Sequence, residues 1–128
     1  MNSVYIHIPF CKNICRYCDF TKMYCIDKYI NDYLIHLKNE IKSRYNGEII
    51  ETIYIGGGTP SCLEINQLKN LFEIIKIFKL KKNYEFTIEC NIDDITKEKL
   101  EIFKNNKINR LSIGIESFDD KIIKYLGR

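Results

Sequence analysis

Apolar residues in this chain follow two periods, and segments of one period alternate with segments of the other. Four short runs are rich in β-branched and aromatic residues and have the lengths of strands. Glycine, proline, asparagine or aspartate residues bound most of them. The four predicted strands are Val4 to Ile8, Thr52 to Ile55, Tyr84 to Glu89 and Arg110 to Glu116.

The segments after these strands show the 3.6-residue period of amphipathic helices. Between Asp27 and about Arg44, apolar residues recur at helical spacing, and Asn46-Gly47 provides a stop signal. The next helix is expected to start from a capping box formed by Ser61 and Glu64. This second helix is predicted to continue through Phe78. The third predicted helix begins at Thr96, and the fourth begins at Asp119.

Strands that alternate with helices predict an α/β fold built on a parallel sheet. In such sheets, ligands bind beyond the carboxyl ends of the strands. The cysteine-rich loop, the glycine loop from Gly56 to Pro60, Glu89 and Glu116 all follow or end predicted strands. We therefore expect these features to converge at one edge of the sheet.

Composition limits the range of functions. With 128 residues, 45% of them hydrophobic and 29% charged, the chain is expected to form a single soluble domain. The net charge of +3 comes mostly from scattered lysines, so no nucleic-acid binding is inferred. No apolar run is long enough for a transmembrane segment, and the N-terminus lacks a secretion signal. A cytoplasmic location is expected, where six cysteines favour metal or redox chemistry over disulfides.

The sharpest motif is Cys11-Lys-Asn-Ile-Cys15-Arg-Tyr-Cys18, which has the spacing CxxxCxxC directly after the first predicted strand. Thiolates at short spacing suit an iron–sulfur cluster or zinc. Three ligands leave one iron of a [4Fe-4S] cluster open for a substrate, whereas structural zinc needs a fourth ligand, for which His7 or Cys25 is available. Spacing alone favours the cluster and leaves both metals open.

The motif and several other blocks resemble the radical S-adenosylmethionine enzymes, and among them the oxygen-independent coproporphyrinogen III oxidase-like group. Phe20 stands where the oxidases of this group carry a further cysteine, so the resemblance is closer to the haem chaperone (HemW) branch. The matching blocks, which span nearly the whole chain, are Tyr5-Ile-His-Ile-Pro-Phe-Cys11, Cys18-Asp-Phe20, Tyr54-Ile-Gly-Gly-Gly-Thr-Pro-Ser61, Arg110-Leu-Ser-Ile-Gly-Ile-Glu-Ser-Phe118 and Leu126-Gly-Arg128.

This resemblance implies cofactors and assigns residues to them. A [4Fe-4S] cluster would be ligated by Cys11, Cys15 and Cys18, and would bind and reductively cleave S-adenosyl-L-methionine. Haem or a porphyrin is implied as a further ligand, and an electron donor protein as a partner. The residues implied in contacts with S-adenosylmethionine are Tyr5 near the nucleoside or the cluster, Tyr17 at the adenine, Gly57, Gly58 and Thr59 at the amino group, Glu89 and Glu116 at the ribose hydroxyls or an ammonium group, and Arg128 at the carboxylate.

In fold, the resemblance implies a partial (βα)6 TIM-like barrel. Residues 1–128 supply four βα units of it, so we expect the N-terminal portion of a radical SAM core domain, truncated before its last two units. The sequence departs from the family pattern at Glu116, where the family has glutamine, and at Asn91-Ile92, where it has asparagine-proline. Three hypotheses follow: a HemW-like haem chaperone, an oxygen-independent coproporphyrinogen III oxidase, which Phe20 disfavours, and a catalytically idle metal- or haem-binding fragment.

Overall fold

A computed structural model describes residues 1–19 and 22–127 of the chain. Its central feature is a parallel sheet whose strands alternate with helices, which confirms the predicted α/β class. In chain order the elements are β1 (Ser3–Ile8), β2 (Phe10–Cys11), β3 (Met23–Tyr24), α1 (Asp27–Arg44), β4 (Ile49–Gly57), a 3₁₀ helix (Pro60–Cys62), α2 (Ile65–Ile75), β5 (Lys79–Asn91), a second 3₁₀ helix (Ile92–Asp94), α3 (Lys97–Asn105), β6 (Arg110–Gly114) and α4 (Asp120–Tyr125).

The main sheet has the strand order β1-β4-β5-β6, with every pair parallel. Ile6 lies opposite Ile55, Ile55 opposite Ile88, and Ile88 opposite Leu111, so one apolar row crosses all four strands. Burying this row against helices removes apolar surface from water, the main favourable term in folding. The register therefore follows from keeping the isoleucines on one face.

The two faces of the sheet differ in polarity. Ile6, Ile53 and Ile88 are at most 3% exposed on the face that the helices cover. The opposite face carries polar side chains that form hydrogen bonds between strands. Thr52 Oγ1 donates to Ser3 Oγ at 2.7 Å, and the Tyr54 hydroxyl donates to the Glu89 carboxylate. A parallel sheet is usually apolar on both faces. The polar face is therefore the side on which a ligand can lie.

The helices pack their apolar stripes on the covered face. Helix α1 buries Ile30, Leu34, Leu37 and Ile41, which share one side of the helix. On α2, the Phe72 ring packs edge to face against two other aromatic rings. The distance between ring centroids is 6.4 Å to Phe86 of β5 and 6.1 Å to Phe103 of α3. No helix in the described part of the chain is both long and apolar enough to span a membrane.

Several predicted element ends differ from those in the structure, and three of them have a local explanation. The capping box of α2 is Glu64 with Gln67, whose Oε1 accepts the Glu64 N–H at 2.9 Å, whereas Ser61 is fully buried in the first 3₁₀ helix. Strand β6 ends at Gly114, because Glu116 has φ +65° and cannot continue an extended strand. The predicted helix containing Phe78 ends earlier, at Ile75, since β5 begins at Lys79.

A two-stranded sheet of β2 and β3 was not predicted, because two-residue strands carry no periodicity. It is parallel, with Cys11 opposite Tyr24. Met23 N–H donates to Pro9 O at 2.6 Å and Cys25 N–H donates to Cys11 O at 3.3 Å. These bonds fix both ends of the cysteine-bearing segment beside β1.

The aromatic contacts of Phe72 lead to a test of the core. Replacing Phe72, 2% exposed, by alanine is expected to lower the free energy of unfolding by about 3–5 kcal/mol, because a cavity opens between α2, α3 and β5. Urea unfolding followed by circular dichroism measures this. The control is Ile35→Ala on the exposed side of α1, expected to cost less than about 0.5 kcal/mol. Equal effects of the two substitutions would contradict the described core.

Candidate cofactor-binding site

Two adjoining cavities lie at the carboxyl ends of the main strands. The larger, of about 240 Å³, lies beyond β4, β5 and β6, and the smaller, of about 90 Å³, lies within the cysteine segment. They share part of their walls, so a ligand in one can touch a group held in the other. The shared residues are Tyr17, Cys18, Gly58, Thr59 and Asn91.

The three motif cysteines line the smaller cavity. Cys11 is buried at the end of β2, and Cys15 and Cys18 are half-buried and joined by the bond from Cys18 N–H to Cys15 O at 3.2 Å. Burial raises the pKa of the Cys11 thiol; the nearby Cys18 and Cys15 thiols contribute, and the Thr59 hydroxyl bond opposes the rise. A bound metal cation replaces the thiol proton, because cysteine binds metals as the thiolate.

This donor set fits an iron–sulfur cluster. Three soft sulfur ligands lie in one short segment, all as free thiols, around one cavity. Within the described residues, no three His, Cys, Asp or Glu side chains already surround a single metal position. A cluster takes one cysteine for each of three irons, so its ligands do not have to surround a single position. His7, a candidate fourth ligand for zinc, instead has its Nδ1 3.0 Å from Tyr5 Oη.

The glycine loop is joined to the cysteine segment by backbone bonds. Gly58 N–H donates to Ile8 O and Thr59 N–H donates to Phe10 O, both at 2.7 Å. A Cβ on Gly58 would lie 2.6 Å from Phe10 O, so only glycine permits this approach. The Thr59 hydroxyl reaches Cys11 Sγ at 3.4 Å. The loop thus forms a common wall between the two cavities.

Glu89 is held at the end of β5 by two donors. Tyr54 Oη donates to its Oε1 at 2.6 Å, and Gly57 N–H donates to its Oε2 at 3.0 Å. A Cβ on Gly56 would lie within 2.8 Å of both the Tyr54 ring and the Glu89 carboxyl group. Glycine at position 56 is therefore what lets this tyrosine and this glutamate meet.

Tyr54 was not among the residues singled out from the sequence, although β alternation contains the signal. Tyr54 lies two residues before Gly56 and so faces the same side of β4, opposite Tyr5 and Thr87 in register. Burial, and then Glu89, raise the pKa of Tyr54, so its hydroxyl remains a donor at neutral pH. Its ring stacks on Tyr5 with 6.1 Å between centroids.

The other residues assigned to S-adenosylmethionine fall into three groups. Gly57, Gly58, Thr59, Glu89 and Glu116 line the larger cavity together with Tyr17. Tyr5 lines neither of the two cavities, and its ring stacks on that of Tyr54. Arg128 lies outside the described residues, as does Phe20.

The end of the described chain nevertheless reaches the cysteine loop. Arg16 N–H, between the second and third motif cysteines, donates to Leu126 O at 3.1 Å, just beyond α4. Gly127 has φ +76°, which turns the backbone beside Arg16. Helix α4 thus ends against the loop that carries the motif.

The remaining cysteines differ in their surroundings. Cys90 is buried, which raises the pKa of its thiol to about 12. Cys25 and Cys62 are hydrogen-bond partners; this bond lowers the pKa of Cys25 and raises that of Cys62. Cys62 and Cys90 therefore stay protonated and pack as small apolar side chains.

Comparison with known proteins accords with this geometry. The sequence profile described as "Radical SAM superfamily" matches residues 5–128. The chain is 41% identical to the heme chaperone HemW of Bacillus subtilis over 133 residues, covering 100% of this chain and 35% of the relative. It is 30% identical to the oxygen-independent coproporphyrinogen III oxidase of Escherichia coli, covering 98% of this chain and 29% of that protein.

The backbone also matches a solved structure. Coproporphyrinogen III oxidase (HemN) from Escherichia coli, described as a radical SAM enzyme, superposes with a TM-score of 0.89 at 29% identity, covering 98% of this chain and 30% of that one. The chain thus spans about a third of the length of these relatives. Because the profile extends over nearly all of the sequence and a solved relative shares its backbone, this chain belongs to the radical SAM superfamily.

Proposed function

We propose that this chain is the N-terminal portion, residues 1–128, of a HemW-like radical SAM core domain that acts in haem metabolism. The observation that carries the proposal is the shared wall between the cysteine cavity and the cavity lined by Gly57, Glu89 and Glu116. A cluster in the first and a nucleoside in the second would touch. When bound, the cluster supplies the electron that cleaves the sulfonium of S-adenosylmethionine.

Cys11, Cys15 and Cys18 would hold this cluster and leave one iron for the amino and carboxylate groups of methionine. The amides of Gly57, Gly58 and Thr59 already donate within the protein. An ammonium group needs acceptors, which the loop carbonyls and the Thr59 hydroxyl can supply. The loop is therefore suited to orient the amino group of the substrate rather than an anion.

Glu89 is suited to the ribose. Its two oxygens each accept one bond from the protein, while an ionised carboxylate can accept about four. Two ribose hydroxyls would fill the remaining capacity. Tyr17, 42% exposed and on the shared wall, offers a flat face for adenine, and Glu116 supplies a second carboxylate at the far side. Arg128 is proposed to pair with the methionine carboxylate.

The names of the relatives support haem as a further ligand, since a 41% identical relative is a haem chaperone. Oxidative decarboxylation of coproporphyrinogen III is the second candidate, favoured by the backbone match to HemN. Phe20, at the position of the extra cysteine of the oxidases, counts against it. An electron donor protein and a cytoplasmic location complete the proposal.

The cluster is tested by anaerobic reconstitution with iron and sulfide, reduction, and electron paramagnetic resonance. We expect a [4Fe-4S]⁺ signal that changes on adding S-adenosylmethionine and that is lost in Cys15→Ser, because one of three ligands is removed. Cys62→Ala is the control, since Cys62 lines neither cavity, and it should retain the signal. A wild-type cluster indifferent to S-adenosylmethionine would favour an idle metal-binding fragment, and zinc in place of iron would refute the cluster.

The nucleoside site is tested by affinity for S-adenosylmethionine, measured anaerobically by calorimetry on the reconstituted chain. Glu89→Gln should weaken binding about tenfold or more, because hydrogen bonds to a charged acceptor contribute about 1.5–3 kcal/mol. Tyr54→Phe should weaken it about two- to tenfold, since the carboxylate loses one neutral donor.

The matched control for Tyr54→Phe is Tyr29→Phe, on a half-exposed tyrosine of α1 that lines neither cavity. This control should leave the affinity unchanged. Iron content should be the same in all these variants. If Glu89→Gln binds as tightly as the wild type, the ribose assignment is wrong.

A further inference from the structure

A buried carboxylate lies directly behind the cysteine loop. Asp94, at the end of the second 3₁₀ helix, is 4% exposed and accepts two hydrogen bonds. Lys12 Nζ donates to its Oδ1 at 2.7 Å, and Ser61 Oγ donates to its Oδ2 at 3.1 Å. Both carboxylate oxygens are thus occupied, one by a charged group.

The same serine connects the carboxylate to the sheet. Ser61 is fully buried, and its Oγ accepts the Asn91 N–H at the end of β5, at 2.9 Å. Its carbonyl oxygen accepts a bond from Lys99 Nζ, in α3, at 2.7 Å. Lys99 is 7% exposed, so this contact is also removed from water. Asp94 therefore lies in a network anchored in β5, α3 and the segment after the glycine loop.

Lys12 brings this network to the metal-binding motif. It directly follows Cys11, and its side chain joins the segment from Cys11 to Cys15 to Asp94, just beyond the end of β5. The other ion pairs found in the described residues join partners that are at least 31% exposed. Only Lys12–Asp94, among these pairs, has a buried partner, and burial is what makes removal of one partner costly.

We propose that Asp94 is a positioning residue for the cluster: through Lys12 it holds the cysteine loop in place and balances the charge beside the cluster. The inference rests on the proposed function, because it requires a cluster on Cys11, Cys15 and Cys18. Neither Lys12 nor Asp94 lines the cavity of about 90 Å³ between the cysteines, so they act on the ligands and not as ligands.

The charges of Lys12 and Asp94 also predict the direction in which each substitution shifts the reduction potential of the cluster. A purely structural role would not produce opposite shifts. Cluster potentials depend on the charge around the cluster. Asp94→Asn removes the negative charge and leaves Lys12 uncompensated, which stabilises the electron added on reduction. Lys12→Met removes the positive charge and leaves Asp94 uncompensated, which opposes reduction. The two variants are therefore expected to shift the reduction potential in opposite directions, upward for Asp94→Asn and downward for Lys12→Met.

The test uses the reconstituted 128-residue chain and two measurements. The first is the rate at which a chelator bleaches the cluster absorbance, expected to rise about tenfold in both variants, the size typical of outer partners of metal ligands. The second is the reduction potential from an anaerobic titration monitored by electron paramagnetic resonance. Thermal unfolding of the apo chain identifies a variant that fails to fold. Lys12→Met leaves the buried Asp94 without its charged partner, so this variant is expected to unfold at a lower temperature but, with the Ser61 bond to Asp94 kept, to retain the fold.

The matched controls are Glu51→Gln and Lys81→Met, which make the same charge changes in an exposed pair with an N–O distance of 3.3 Å. They should leave bleaching rate and potential unchanged. Unchanged bleaching in both Lys12→Met and Asp94→Asn, or potentials shifted in the same direction, would overturn the inference while leaving the proposed function intact. A wild-type chain that takes up no cluster would instead overturn the proposed function itself.

Discussion

Two backbone hydrogen bonds, from Gly58 N–H to Ile8 O and from Thr59 N–H to Phe10 O, join the end of β4 to the segment that enters the cysteine motif. The larger and the smaller cavity depend on them, because they place the glycine loop between the motif and the end of β5. Each bond is worth only about 0.5–1.5 kcal/mol on balance. Their effect on the site is geometric, since they are possible only where a glycine lets two backbones approach.

On the polar face of the sheet, the Glu89 carboxylate is held in place by the neighbouring strand β4. The Tyr54 hydroxyl and the Gly57 amide both donate to the Glu89 carboxylate, and the Tyr54 ring stacks on that of Tyr5. A carboxylate held by two donors has lost most of its rotamer freedom before any ligand arrives. Preorganisation of this kind reduces the entropy that binding must otherwise overcome. The same strands bury isoleucines on their other face, so one alternating pattern places the core on one side of the sheet and these polar contacts on the other.

Most of the fold was predictable from the sequence, because in long segments such as Asp27–Arg44 the spacing of the apolar residues alone indicates a helix. One prediction failed because a contact distant in sequence decided the outcome: Ser61 bonds Asp94 instead of capping α2. Another failed at Glu116, whose positive φ ends the extended strand. Among the site residues, the motif cysteines were predicted from their spacing, and the glycines were predicted from the family resemblance. The Tyr54–Glu89 bond could not be read directly, since it joins neighbouring strands whose register the local sequence does not give.

The bond between Arg16 N–H and Leu126 O has a consequence for biosynthesis. It joins residue 16 to residue 126 and so closes most of the described chain into one loop. This contact can form only after residue 126 has been synthesised. The backbone between Cys15 and Cys18 therefore lacks this one partner while the strands and helices before α4 are being made.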